Sequence, residues 1–291
     1  MKTTLLFFCL VISSTFAYGQ APPPDTDILV FDMKERKGKI TLSNDKNVTN
    51  RKGYDNQPAF FNNDYLMFSA HYNGQNDIMI LDLYEDKLTN LTNTKESEYS
   101  PFPVPGYGSF GTIRVEADRT QRLWMFQMDG KAKPRVVFEN LAPVGYFAWN
   151  GDNDVLMFVL GQPATLVMAN ANEVDDKIIT NNIGRTIKLI PDTKDFAFER
   201  REENGDMIIY RLNANTKAYT QVIKKPTGSS DWVITQEGTY ITSVGSKLWM
   251  FNPKKGTEWS ELTDLGEKAG KGITRMAVNS NNKRLAVVIS N

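Results

Sequence analysis

The chain has almost no histidine, almost no cysteine and no net charge. One imidazole, His71, cannot build a zinc centre or a lyase site that needs several. A Ser/His/Asp nucleophile would have to use it. Ser69 lies only two residues away on the same strand end (SAHYNGQND, 69–77), a spacing that builds no triad, so His71 reads as an exposed loop side chain. The only cysteine, Cys9, sits inside the apolar stretch 5–11 (LLFFCLV), and no thiolate, disulfide or cysteine metal site is available after it. The 34 basic and 34 acidic side chains cancel, and a pI near 6.6 argues against a nucleic-acid partner, whose phosphates demand basic excess. No later apolar run is long enough to span a bilayer.

The N-terminus reads as a secretory signal. Lys2 supplies the charge, 5–11 the apolar region, and Ala17-Tyr18-Gly19 the small-x-small cut before Gln20. The expected division is a signal peptide at 1–19, a proline-rich leader at 20–26 and one folded unit at 27–291. The expected compartment is the periplasm or the exterior.

What the chain does have is a repeat. DILVFDM (27–33), DIMILDL (77–83), RLWMFQM (122–128), TLVMANA (165–171), DMIIYRL (206–212) and KLWMFNP (247–253) start 50, 45, 43, 41 and 41 residues apart. A period in this range indicates a propeller or another repeat array. A second strand precedes each complete unit's run, as in YLMFSA (65–70) and DVLMFV (154–159). Ahead of that lies a short apolar stretch: 58–61, 101–104, 146–149, 187–190, 232–235 and 275–278. A fourth strand follows, as at 87–92, 134–140 and 218–223. Turns of the FNND (61–64) and IPDT (190–193) kind join the first two strands. Four antiparallel strands per unit make a propeller blade. The chain begins with the last two strands of a blade (27–42) and ends with the first two (275–289), so pairing its ends makes a sixth blade, closes the ring and should remove open sheet edges.

Asp55-x-x-Pro58, Phe61-Asn-Asn-Asp64, Leu66-x-Phe68-Ser69, Asp77-Ile-x-Ile and Leu91-Thr92 resemble the WD40-like (PD40) repeat of TolB-type propellers, best in 54–92, with Glu98-x-x-Pro101 and Phe147-Ala-Trp149 keeping parts of it. The resemblance implies an all-β, six-bladed propeller. It also implies a periplasmic role, with other envelope proteins bound at the mouth of the propeller.

Candidate chemistry is sparse. Gly106-x-Gly108-x-x-Gly111 matches a dinucleotide-binding string but runs into a strand-like stretch, 112–117, where that mechanism needs a helix. Asn150-Gly-Asp-Asn-Asp154 has a calcium-loop look without the distal glutamate, and reads as a turn. A divalent ion in the channel would use the inner positions Asp55, Glu98, Pro143, Gly184, Ser229 and Gly272. Only Asp55 and Glu98 are acidic, and capping of backbone N–H groups is their expected role. The loops 116–122 (EADRTQR) and 199–206 (ERREENGD) carry charge on the face of the inter-blade connections. Arg119, Arg122, Arg200 and Arg201, with Tyr72, Tyr99, Tyr146 and Trp232, form the expected recognition rim. Asn47-Val-Thr49 and Asn90-Leu-Thr92 are glycosylation sequons.

The expectation is a monomeric, non-catalytic propeller that binds an envelope protein or peptide. It has no nucleic-acid partner, no membrane span and no cofactor, calcium being the one ion in question. The alternative is a divalent-metal-dependent propeller hydrolase acting on a lactone or sugar.

Overall fold

A computed structural model describes residues 23–106, 108–173 and 175–291. The expected signal peptide and the first residues of the expected leader lie outside the described residues.

The first two strands, β1 (Thr26–Arg36) and β2 (Lys39–Asn47), wait for partners from the far end of the chain. Blade 1 holds β3 (Asp55–Phe60), β4 (Tyr65–Tyr72), β5 (Gln75–Asp82) and β6 (Lys87–Asn90). Blade 2 holds β7 (Ser97–Val104), β8 (Ser109–Val115), β9 (Gln121–Gln127) and β10 (Arg135–Val136). Blade 3 runs through β11 (Val144–Trp149), β12 (Asp154–Val159), β13 (Thr165–Asn170) and β14 (Asp176–Asn181). Blade 4 is β15 (Ile183–Leu189), β16 (Phe196–Arg201), β17 (Met207–Leu212) and β18 (Tyr219–Lys224). Blade 5 is β19 (Trp232–Ile234), β20 (Tyr240–Val244), β21 (Lys247–Phe251) and β22 (Ser260–Asp264). The chain ends on β23 (Ile273–Val278) and β24 (Arg284–Ser290), and blade 6 has the order β2-β1-β24-β23. The six sheets are four-stranded and antiparallel, and β1 pairs with β24 from Thr26↔Ser290 to Asp32↔Arg284.

The repeated apolar run is explained by packing. Side chains alternate across a strand. Leu29, Phe31 and Met33 of β1 pack on blade 5, whereas Ile28 and Val30 pack on blade 1. Both faces of this third strand are therefore buried, so it reads as continuous hydrophobic sequence. Six apolar clusters result, one at each junction between blades.

The aspartate that opens the run has a separate task. Asp77 accepts hydrogen bonds from Asn90 Nδ2 (2.8 Å) and Thr92 Oγ1 (3.3 Å), and Thr92 Oγ1 accepts from Ile78 N (3.0 Å). Asp27 repeats this with Asn47 Nδ2 (2.9 Å) and Thr49 Oγ1 (3.2 Å). The two Asn-x-Thr sequons thus tie a fourth strand back to the third.

Three expectations are corrected. Inner strands start earlier than the apolar stretches: β3 at Asp55, β7 at Ser97 and β15 at Ile183. Their polar leading residues pair through register breaks, at Asn56/Ala59, Tyr99/Phe102 and Ile183/Ile187. The fourth strand at 134–140 shrinks to β10, after which only Val137 N keeps a ladder bond, to Leu123 O (2.8 Å). Ring closure does not remove the outer sheet edges. β2, β6, β10, β14, β18 and β22 each end a sheet, and charges such as Lys46, Lys87 and Lys224 occupy several of these edges.

Deleting residues 273–291 strips β23 and β24 and leaves β1 without its partner. Circular dichroism during heating should then show no cooperative transition. A native-like melt of that truncation would contradict closure by blade 6.

Candidate functional site

The inner strands β3, β7, β11, β15, β19 and β23 surround a channel cavity of about 310 Å³. As the last strand of its sheet, each leaves one backbone edge free, which lets Pro58, Pro101 and Pro103 sit within β3 and β7. Five of the six carry a register break near the start, at Asn56/Ala59, Tyr99/Phe102, Val144/Tyr146, Ile183/Ile187 and Ile273/Arg275. Bulges re-aim side chains. Gln57, Ser100, Tyr146, Thr186 and Arg275 lie in or beside them, and with Asp231 they place one polar residue per blade in the channel wall. Ala59, Phe60, Ile187, Val233 and Val278 supply apolar wall towards the first hairpin turns, where Pro191, Gln236 and Ser280 stand.

Inter-blade hydrogen bonds fix this ring. Gln57 Oε1 accepts from Ser100 N (2.8 Å), and Asp231 accepts from Thr186 Oγ1 (2.8 Å) and Met276 N (3.0 Å). Arg275 of blade 6 crosses to blade 3, donating to the Tyr146 hydroxyl (3.0 Å) with its guanidinium 5.6 Å from the ring centre. Arg275 also donates to Thr274 O (2.9 Å), and Arg185 from blade 4 donates to the same carbonyl (3.1 Å). Two guanidinium groups therefore converge on one oxygen. The Arg185 side chain is exposed to channel solvent, yet the surrounding wall withdraws bulk water and Arg275 repels it, so its pKa is lowered. Burial pushes Asp231 up, but Lys188, Arg275, Thr186 and Met276 N outweigh it and hold the carboxyl below its ordinary range.

The acids expected to hold an ion are placed elsewhere. Neither Asp55 nor Glu98 lines the cavity. Asp55 takes Arg51 Nη2 at 2.6 Å; Glu98 takes Arg114 Nε at 2.9 Å and Thr94 Oγ1 at 2.6 Å. Their partners are side chains rather than the expected backbone N–H groups. Asp55 Oδ2 and Glu98 Oε2 are buried without a partner. Burial raises both pKa values, that of Asp55 to about 6 against the pull of Arg51. Of the other inner positions, Gly184 leaves room for Glu199, whose carboxylate a Cβ there would overlap. Glu199 accepts from Lys225 Nζ (2.5 Å) and Trp232 Nε1 (2.9 Å), a buried ion pair behind the channel wall.

The expected rim is divided. Tyr146 alone of its members lines the channel. Trp232 is fully buried in the junction between blades 4 and 5 and offers no contact surface, its indole N–H donating to Glu199. Arg122 pairs with Glu116 (2.7 Å) and Arg200 with Glu202 (2.8 Å), while Arg201 donates to Gly205 O (3.1 Å). Tyr72 lies under Arg51, at 4.0 Å, and Tyr99 is half-buried. Arg119 is exposed in its turn at φ 71°. His71 Nδ1 lies 3.0 Å from Asn76 Oδ1, at the end of β4. Gly106 and Gly108 stand between β7 and β8, and Gly111 lies in β8, where a Cβ would meet the Phe147 ring at 2.9 Å. Asn150 Oδ1 accepts from Asp152 N and Asp154 N, both at 3.0 Å, which makes that segment a hairpin turn. Sequence reading missed Arg185, Lys188, Asp231 and Arg275. The signal for Arg185, Lys188 and Arg275 was charge set among the apolar residues of inner strands, while Asp231 stands one position ahead of β19.

No protein-family profile and no curated protein matches the chain. Solved structures do. A structure described as TolB from Agrobacterium tumefaciens superposes with TM-score 0.71 at 13% identity, covering 92% of this chain and 99% of that one. The fold is that of a TolB-like propeller. TolB from Acinetobacter baumannii gives TM-score 0.61 at 10% identity, over 90% of this chain and 63% of that one. An oligogalacturonate lyase in complex with manganese gives 0.52 at 12% identity, over 93% and 98%. Among the described residues of this TolB-like propeller, no helix is long and apolar enough to cross a membrane.

Two outcomes test these charges. Lys225→Met leaves Glu199 buried without its cation and should cost about 3–5 kcal/mol in urea unfolding, with Glu199→Gln added in the same chain restoring much of it. Asp55 binds its proton more tightly folded, at about 6, than unfolded. Its contribution therefore raises stability as pH falls from 7 towards 4. Wild type should gain on Asp55→Asn across that range. A constant difference between the two would show that the buried carboxyl keeps an ordinary pKa.

Proposed function

We propose that this protein is a non-catalytic, periplasmic or secreted propeller that captures a segment of an envelope protein or peptide in its channel. The observation that carries the reading is the cavity itself. All six blades build it, its volume falls within the range of ligand sites, and its apolar wall has a few fixed polar groups. The blades are held by packed junctions, so the groups facing the channel are presented without reorganisation. The N-terminal signal-like segment and the likeness to TolB structures support an envelope location. The balanced charge favours a protein over a nucleic-acid partner. The protein acts as a monomer in this reading, since the ring closes within one chain.

A metal-dependent propeller enzyme acting on a sugar or lactone is the second reading. It is favoured by the likeness to a manganese-bound oligogalacturonate lyase. The donor set speaks against it: Asp55 and Glu98 are already paired with Arg51 and Arg114 and do not line the cavity. A calcium ion there would sit beside two guanidinium charges.

Cross-linked capture from an envelope extract, with residues 20–291 as bait, separates the readings. Ala59→Trp, which fills the channel, should cut recovery of the dominant partner at least tenfold at unchanged melting temperature. Arg119→Ala with Arg201→Ala should leave recovery intact. Loss with the rim pair and not with the filled channel would move the binding site to the loops.

A further inference from the structure

Resting on the capture reading above, we infer that the channel is built to hold a carboxylate group, with Arg185, Arg275 and Lys188 as its receptor. Three cations and one acid, Asp231, line the cavity. Asp231 has both oxygens engaged, by Thr186 Oγ1 and by Met276 N. Among the described residues it forms no salt bridge with the three cations, although Lys188 and Arg275 act on its charge from farther away. Among the described residues none of the three cations makes a salt bridge, and Lys188 makes no side-chain hydrogen bond. The next acid, Glu199, is occupied by Lys225 and Trp232.

Such an arrangement is costly without a ligand. Two guanidinium groups share the Thr274 carbonyl, a neutral acceptor, where like charges repel. Each guanidinium has five N–H donors. Arg185 uses one on protein and Arg275 uses two. The remaining donors and the Lys188 ammonium match a flat, two-oxygen anion, which a guanidinium fork binds in a bidentate way. Apolar residues along the strand direction, Ile187, Val233 and Val278, would then cover the chain attached to it. A chain-terminal carboxylate or an acidic side chain both present this chemistry.

The test uses three probes on residues 20–291: a fluorescent Gly-Ala-Val-Ala tetrapeptide with a free C-terminal carboxylate, its C-terminal amide, and succinate as competitor. The acid should bind at least tenfold more tightly than the amide by fluorescence polarisation. Arg275→Met and Lys188→Met should each remove that preference, while melting temperatures confirm folding. Arg201→Met, on the outer loop, should keep it. Equal binding of acid and amide leaves segment capture standing and overturns the carboxylate site. Stabilisation by succinate that depends on Arg275, without binding of either peptide, supports the carboxylate site and sinks segment capture. No response to any probe, or a preference that survives both substitutions, overturns the inference.

Discussion

Every part of this molecule depends on one constraint: each blade can bury its two faces only between two neighbours. A four-stranded sheet with apolar residues on both sides has no stable existence alone. Six junction clusters supply the missing partners, and the sixth exists only because β1 pairs with β24. The channel is a consequence of the same closure. Its wall residues come from strands that meet only when the ring is complete. Arg275 from the last blade reaches Tyr146 from the third, so the two ends of the fold also set the geometry of the site.

Polar groups were placed inside this frame by local departures from regular pairing. The register breaks at the start of β3, β7, β11, β15 and β23 bring polar residues of those strands to the channel wall. Carboxylates behind the wall are treated differently from those in it. Asp55, Glu98 and Glu199 are each matched by a cation from the fold. Across the channel the balance is reversed, with cations left over. That contrast separates charges that hold blades together from charges available to a ligand.

Much of this was legible in the sequence. The run beginning at Asp77 gives the period, and the incomplete blades at the two ends give the closure. Asn90-Leu-Thr92 is legible only in part, because the pattern names a sequon while its bonds to Asp77 need coordinates. Pairing among the expected rim residues is not legible in the sequence, for a physical reason. Loop charges such as Arg122 and Arg200 find partners within their own hairpin, and periodicity does not report pairing. Trp232, expected in the rim, is buried instead, and its neighbour across the blade junction is Glu199, thirty-three positions away. Arg185 and Arg275 stand out only in the structure, because apolar periodicity does not report that they share one carbonyl.

The most direct measurement is photo-cross-linking in the native cell from inside the channel. A photoreactive amino acid replaces Val278, on the channel wall, or Tyr84, which is 88% exposed on the outside of blade 1. The account predicts one discrete adduct from position 278 and none of the same mass from position 84. Adducts from the outer position alone, with an unreacted channel, would contradict it.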